Sequence, residues 1–321
     1  MEPRQRVILR PAEPGRDFGE LATLFTSLED EPATEAGLLA FYEKEKERVL
    51  QAVAEEERGS LPGFYWAEKE RAAPEHVFFY LYVKPERRGQ GIGGQLYAEM
   101  FRALEAGGAK RLRVAIRDDC AEGLAFAGRR GFRERGHSIG MTLDLDSLDD
   151  RPYDEIIARL EGEGFRFASM EELGDTEEAQ RKLYWLNDTT DRDTPGTDGE
   201  PSWDSFEDFR DSVCRSEWYK PGGQMVAIDT STGTWAAMSA ITVMPGCDYA
   251  YNLHTGVDRR YRGRKLAQAV KVRALRYARD VLRAKSVRTH HRVQNLPMIA
   301  IDVKLGYEQT PGLFSMQMDL E

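Results

Sequence analysis

At 321 residues the chain is about twice the ~150 residues usual for one domain, so two domains and a large buried core are expected. Hydrophobic residues at 41% and charged residues at 31% exclude a disordered or fibrous chain. Asp and Glu outnumber Lys and Arg by 55 to 45, and residues 1–150 hold 22 basic against 28 acidic groups, so neither half is the basic body of a nucleic-acid binder.

In chain order, residues 6–11 predict a strand, followed by helical stretches at about 17–28 and 34–57 and strands near 63–68 and 77–83. The charge run Glu43–Glu57 reads as the solvated face of the second helix. A glycine-rich turn over 89–94 opens a helix whose Ile92, Leu96, Tyr97, Met100, Phe101 and Leu104 fall at helical spacing, and Gly107-Gly108 ends it. Strand 111–117, a short helix from about 121 to 130 stopped at Gly131, and strand 139–145 complete the first half.

The acidic stretch 149–155, with Pro152, reads as a linker between domains at 1–148 and 156–321. The second half predicts strand 165–169, helices near 176–188 and 204–216, and strands 224–229, 235–243 and 249–257. Helix 264–283, strand 286–292, helix 297–305 and strand 313–319 follow. A polar loop joins Asp188 to Trp203, and Trp203, Phe206, Phe209, Trp218 and Tyr219 are expected either to roof a cleft or to pack the halves together.

The two halves repeat one another. Val83-Lys-Pro-Glu-Arg-Arg-Gly-Gln-Gly-Ile-Gly93 aligns with Val257-Asp-Arg-Arg-Tyr-Arg-Gly-Arg-Lys-Leu-Ala267 at an offset of 174, and Arg130-Gly131-Phe132 aligns with Leu305-Gly306-Tyr307 at 175. In both copies the motif lies where a strand ends and a helix begins. Unpaired N–H groups and the positive end of a helix dipole meet there, which suits a phosphate, and glycine permits close approach. Arg87 and Arg88, and then Arg259, Arg260, Arg262, Arg264 and Lys265, gather positive charge at these turns of an acidic chain, so an anionic ligand is expected at each.

Gly89-Gln-Gly-Ile-Gly-Gly94 also satisfies the dinucleotide pattern, with Asp118 about where a ribose-binding acid should stand. Against it, some 80 residues of other elements precede the motif and the second copy loses the glycines. A nucleotide-hydrolase loop needs Gly-Lys-Ser/Thr, which is absent.

Val83, Arg88-x-x-Gly91-x-Gly93 and the later Arg-Gly-Phe, repeated as Arg262-x-x-Lys265-x-Ala267, Asn295-x-Pro-Met and Lys304-Leu-Gly-Tyr307, resemble the GNAT superfamily of acyl-CoA-dependent N-acyltransferases. The resemblance covers nearly the whole chain and is similar to the tandem arrangement of mycothiol synthase. It implies an α/β (α+β) architecture of two GNAT folds, each a mixed, mainly antiparallel sheet flanked by helices. It also implies transfer of acetyl from acetyl-CoA, as cosubstrate, to a small primary amine. The pyrophosphate would lie on Arg88, Gly89, Gln90, Gly91, Ile92 and Gly93, and on Arg262, Gly263, Arg264, Lys265, Leu266 and Ala267. Val83 and Val257 would meet the pantetheine arm where two strands splay, and Asn295 would bond that arm or cap helix 297–305.

Two departures qualify the resemblance. Lys265 replaces the central glycine, and the family's usual tyrosine acid is Ala127 in one half and Asp302 in the other. The second half is favoured for catalysis because strand 249–257 offers His254 as a general base and Tyr251 at the thioester. The alternatives are a histidine tied to a neighbouring element, and Tyr249 and Tyr251 as core. His290-His291 face opposite sides of a strand, which argues against a metal. Cys120, Cys214 and Cys247 form no Cys-x-x-Cys pair and suit structural thiols in the cytoplasm. Only Val7, Ile8 and Leu9 form an early apolar run, so no membrane partner is expected, and an intrachain pseudo-dimer makes a monomer sufficient. Two further readings stay open: a non-catalytic acyl-CoA sensor with degenerate sites, and acetylation of an amino-sugar conjugate in the manner of mycothiol synthase.

Overall fold

The opening strand Val7–Arg10 (β1) runs antiparallel to Val49–Glu56 (β2), a segment whose charges had suggested helix. The helix expected over 34–57 is instead two elements. Glu35–Glu45 (α2) begins where the Thr34 hydroxyl accepts from the Gly37 N–H, and β2 follows. The reason is two-sided pairing: Val53 stands opposite Arg10 on one flank and Phe64 on the other, and Ala52, Val53 and Ala54 are fully buried. The charge run is correspondingly not one solvated face, since Glu45 is buried against Arg48 and Arg71, and Glu55 pairs with Arg10.

The computed structural model describes residues 7–28, 33–71, 73–195, 202–244 and 246–320. The chain divides into two compact units, Met1–His137 with Leu313–Glu321, and Ser138–Gly312. In the first unit, Gly63–Lys69 (β3) and His76–Val83 (β4) continue the antiparallel sheet, and Arg111–Arg117 (β5) joins β4 in parallel. Period-two alternation sorts the side chains. Val53, Phe64 and Trp66 face Pro14–Thr26 (α1), whereas Ala52, Tyr65, Val77 and Phe79 face Ile92–Ala106 (α3) and Ala121–Gly128 (α4).

The second unit repeats this plan. Phe165–Ser169 (β7), Gln224–Asp229 (β8), Thr234–Thr242 (β9) and Ala250–Val257 (β10) are antiparallel, and Ser286–Arg292 (β11) joins β10 in parallel. Leu266–Asp280 (α8) packs one face, and Glu177–Asp191 (α6) with Phe206–Phe209 (α7) packs the other. Helix Pro152–Gly162 (α5) occupies ground that the sequence had assigned partly to the linker. Its Tyr153, Ile157 and Leu160 recur at helical spacing, Pro152 suits the first turn, and Arg276 holds Asp150 and Asp154 at 2.7 Å each. The helix expected at 204–216 shortens to α7, and a π turn follows over Arg210–Cys214.

The boundary differs from a simple cut at a linker. Arg133–Asp144 (β6) pairs through Ser138–Asp144 with β11 in the second unit, whereas Glu308–Asp319 (β12), after helix Leu296–Leu305 (α9), pairs through Leu313–Asp319 with β5 in the first. Each half of the sequence thus lends its last strand to the sheet of the other. Close approach at Gly312 allows the crossing: a Cβ there would stand 1.9 Å from the Ser138 carbonyl oxygen. Gly312→Ala is therefore expected to cost about 1–3 kcal/mol through overpacking, read as a lowered midpoint in denaturant with unchanged slope. A variant as stable as the parent would contradict the close crossing.

Candidate functional site

The first-unit turn has the geometry that its glycines suggest. Gly89 and Gly91 adopt φ of 74° and 88°, and Gly91 is the N-cap of α3. Among the described residues nothing lies within 4 Å of where a Cβ would stand at either position, so both face open space. Ile92 is buried in the core and offers the turn its backbone. Arg88 donates from Nε to the Val83 carbonyl at 3.1 Å, and its Nη1 lies 3.4 Å from the highly exposed Glu122 carboxylate. Arg87 is tied to Glu56, and Gln90 donates to the Glu86 carbonyl at 3.4 Å.

Behind this turn the sheet opens. β4 and β5 pair only through His76–Arg111, Val77–Leu112 and Phe78–Arg113, after which the strands part. The gap belongs to a cavity of about 720 Å³ that runs from Arg88, Gly89 and Gly91 to Tyr80, Tyr97 and Ala127. Arg130 also lines it, donating to the Phe126 carbonyl at 3.0 Å and lying 3.4 Å from the Phe126 ring centre and 4.8 Å from that of Tyr97. Burial raises the Tyr97 pKa, opposed in part by Arg130, so the phenol stays protonated near neutrality. Such a cradle fits an extended ligand with an anionic end and an apolar arm.

The second-unit turn copies the backbone, and Gly263 also has nothing within 4 Å of where a Cβ would stand; what differs is its charge. Gly263 and Lys265 have φ of 78° and 70°, so Lys265 accepts at the N-cap of α8 the left-handed geometry that Gly91 supplies in the first unit. Its arginines are engaged. Asp193 accepts from Arg262 Nη2 at 2.6 Å and from Arg259 Nε at 2.7 Å, Arg264 pairs with Glu163 at 2.7 Å, and Arg260 pairs with Asp258 at 2.8 Å. Leu266 is buried, Ala267 follows it in α8, and the Val257 carbonyl accepts from Arg262 Nε at 3.1 Å. Beyond Ala250–Val287 and Tyr251–Arg288 the parallel pairing stops here too, but the Thr289 hydroxyl donates to the Asn252 carbonyl at 3.0 Å across the divide.

The catalytic candidates sit in satisfied positions. His254 Nε2 lies 2.8 Å from the Thr190 hydroxyl of α6, and the Tyr251 hydroxyl lies 2.7 Å from His290 Nδ1. Tyr249 is buried, with Arg288 over its ring at 3.9 Å. Leu253 is an extra residue in β10, a bulge between Asn252 and His254, whereas β4 pairs with β3 in unbroken register. Burial lowers the His254 pKa, opposed by Asp191, so folding favours the neutral imidazole. Unfolded, the ring binds a proton below about pH 6.5, and the folded protein does so only at lower pH. Stability from this site is thus present above that pH and lost as pH falls, and His254→Gln is expected to lose less stability than the parent between pH 7 and 5 in thermal melts. Equal losses would contradict a ring that the fold keeps neutral.

Asn295 sits at the N-cap of α9, but its side chain makes no cap hydrogen bond; its carbonyl accepts from Ile299 at 3.1 Å. His290 and His291 do face different partners, Tyr251 and Asp302. Phe206, Phe209 and Trp203 join the core beneath α6. Burial pushes the Cys214 thiol up to about 12, which suits an inert structural cysteine. Asp118 lies 3.0 Å from His137. None of the described helices is long and apolar enough to cross a membrane.

One cluster was not foreseen. Lys271 and Asp302 are fully buried and ion-paired, His291 Nε2 donates to Asp302 at 2.7 Å, and the Lys271 ammonium stands 4.9 Å from the Tyr307 ring centre. Burial opposes ionisation of Asp302, but the charge of Lys271 and the His291 hydrogen bond outweigh it and hold the carboxyl below its ordinary range. The offsets of 174 and 175 were the available signal: they place Lys271 on Tyr97, Asp302 on Ala127 and Tyr307 on Phe132. Where the first unit has residues lining its cavity, the second has a buried ion pair beside a tyrosine.

Comparison with known proteins gives the class first. Over 98% of this chain, the fold is similar to a GCN5-related N-acetyltransferase from Sphaerobacter thermophilus (95% of that chain, 17% identity, TM-score 0.70). It is also similar to a tandem GNAT protein from the clavulanic acid biosynthesis pathway (98% of each chain, 18% identity, TM-score 0.73). The chain therefore has a tandem GNAT fold. Residues 18–132, a stretch wholly within the first unit, match the acetyltransferase (GNAT) family. Over 88 residues the chain is 33% identical to the 5-NmdU N-acetyltransferase of Pseudomonas phage PaMx11, a match spanning 27% of this chain and 60% of that relative.

Proposed function

We propose that the protein transfers an acetyl group from acetyl-CoA to a primary amine of a small acceptor, and that the reaction runs in the first-unit cleft. The carrying observation is that one 720 Å³ cavity joins the open Gly89–Gly94 turn to the gap between β4 and β5. The GNAT match to residues 18–132 supports the same unit. The second half, favoured by its polar strand, has instead tied its candidate base to Thr190 and its turn arginines to carboxylates.

In this reading the amides of Gly89–Gly94 and Arg88 hold the pyrophosphate, and the edge of β4 freed beyond Phe78 receives the pantetheine arm. Bound acetyl-CoA supplies the thioester that the amine attacks. The protein positions the two reactants, excludes water from the apolar slot and provides a proton for the departing thiolate. Tyr97 suits that last role because it lines the cavity and burial keeps it protonated. Loss of a general acid of this kind costs about 10² or more in rate.

The test is thiol release from acetyl-CoA with a panel of primary amines, for the parent and Tyr97→Phe. The reading expects amine-dependent turnover that falls at least about 100-fold in kcat in the variant, with acetyl-CoA affinity unchanged. An equal fall in affinity would make Tyr97 a packing residue, and no turnover with any amine despite binding would favour a sensor.

A further inference from the structure

Both turns face open space at their glycines, but the second carries a largely buried carboxylate, Asp193, on its arginines, and the first has an exposed one, Glu122. Arg262 and Arg88 are docked alike, each donating from Nε to the carbonyl of the last strand residue at 3.1 Å. Their outer nitrogens differ. Among the described residues, the outer nitrogens of Arg88 meet only the rim carboxylate of Glu122, 76% exposed, at 3.4 Å. Arg262 meets Asp193, 9% exposed, at 2.6 Å, and Arg259 grips the same carboxylate.

Asp193 comes just after Arg192, the C-cap of α6, and the end of that helix is fixed independently. Thr190 reaches His254, and a Cβ at Gly256 would stand 2.2 Å from the Thr190 hydroxyl, so α6 rests on the backbone of β10. A carboxylate delivered from a helix end onto two arginines at a left-handed turn occupies the charge that a phosphate would use.

We infer that Asp193 is a built-in anion that closes the second-unit turn to coenzyme A, so that the end of α6 is an autoinhibitory clamp. This rests on the reading that such turns bind the coenzyme's pyrophosphate. The second unit is then a latent site: in the parent only the first unit binds, and releasing Asp193 gives the second unit two free guanidinium groups beside the α8 N-terminus.

Calorimetric titration of coenzyme A into the full chain tests this with the parent, Asp193→Asn, Asp193→Ala and Asp193→Asn combined with Arg262→Ala. The expected stoichiometry is one for the parent, two for either single variant, and one again for the combination. Two sites in the parent would overturn the inference, as would a single site in Asp193→Asn whose melting curve matches the parent. The two readings fail separately. A parent without any site removes the first-unit assignment, and the clamp is then judged by whether Asp193→Asn gains a site that Arg262→Ala abolishes.

Discussion

Gly91→Glu is expected to abolish acetyl-CoA binding in the first unit, weakening it by two to three orders of magnitude. Gly91 caps α3 at φ 88° with open space where a side chain would begin, so the new carboxylate projects into the region assigned to the pyrophosphate. Like charges about 4 Å apart repel by roughly 4 kcal/mol at an effective dielectric near 20, and each 1.4 kcal/mol is tenfold in affinity. Backbone strain contributes as well, on the order of 1 kcal/mol for a residue with a Cβ in this conformation. Gly91→Ala separates the two effects: it carries the strain without the charge and should bind within about tenfold of the parent. Titration calorimetry reads both variants, and unchanged affinity in Gly91→Glu would remove the turn from the site.

Asp302→Ala is expected to be the most destabilising single change, by about 3–5 kcal/mol, because it leaves the Lys271 ammonium buried without its partner. For a protein of this size such a loss lowers the melting temperature by roughly 4–7 °C. Replacing both partners with apolar groups removes the uncompensated charge, so Lys271→Met with Asp302→Leu should recover most of the loss. Chemical denaturation of the two variants checks this. A single variant within about 1 kcal/mol of the parent would mean that water or another group already serves Lys271.

The repeat made the architecture legible, because strand periodicity and the aligned turns recur in register in both halves. Segment 49–56 escaped because its Glu-rich end resembles a helix surface, whereas its strand character comes from pairing with β1 and β3, which are distant in sequence. The exchange of β6 and β12 left no local signal: each strand looks the same whichever sheet receives it.

The turns were legible as anion sites from glycines, arginines and their place before a helix. What was not legible was occupancy by the chain's own carboxylates. Asp193 lies in a loop that the sequence describes only as polar, and its meeting with Arg259 and Arg262 depends on where α6 ends. His254 looked like a free base for the same reason: Thr190, its partner, is 64 residues away. Tyr97 counted as an apolar residue of a helix until the cavity placed it beside Ala127.

The central claim is that the first unit holds the acyl donor. A crystal structure of the full chain grown with coenzyme A tests it most directly, since the position of the pyrophosphate assigns the unit without any knowledge of the acceptor. The account predicts the pyrophosphate on the amides of Gly89–Gly94, with the pantetheine arm between β4 and β5. A coenzyme bound at residues 262–267, with the Gly89–Gly94 turn empty, would contradict it and return the chemistry to the second unit.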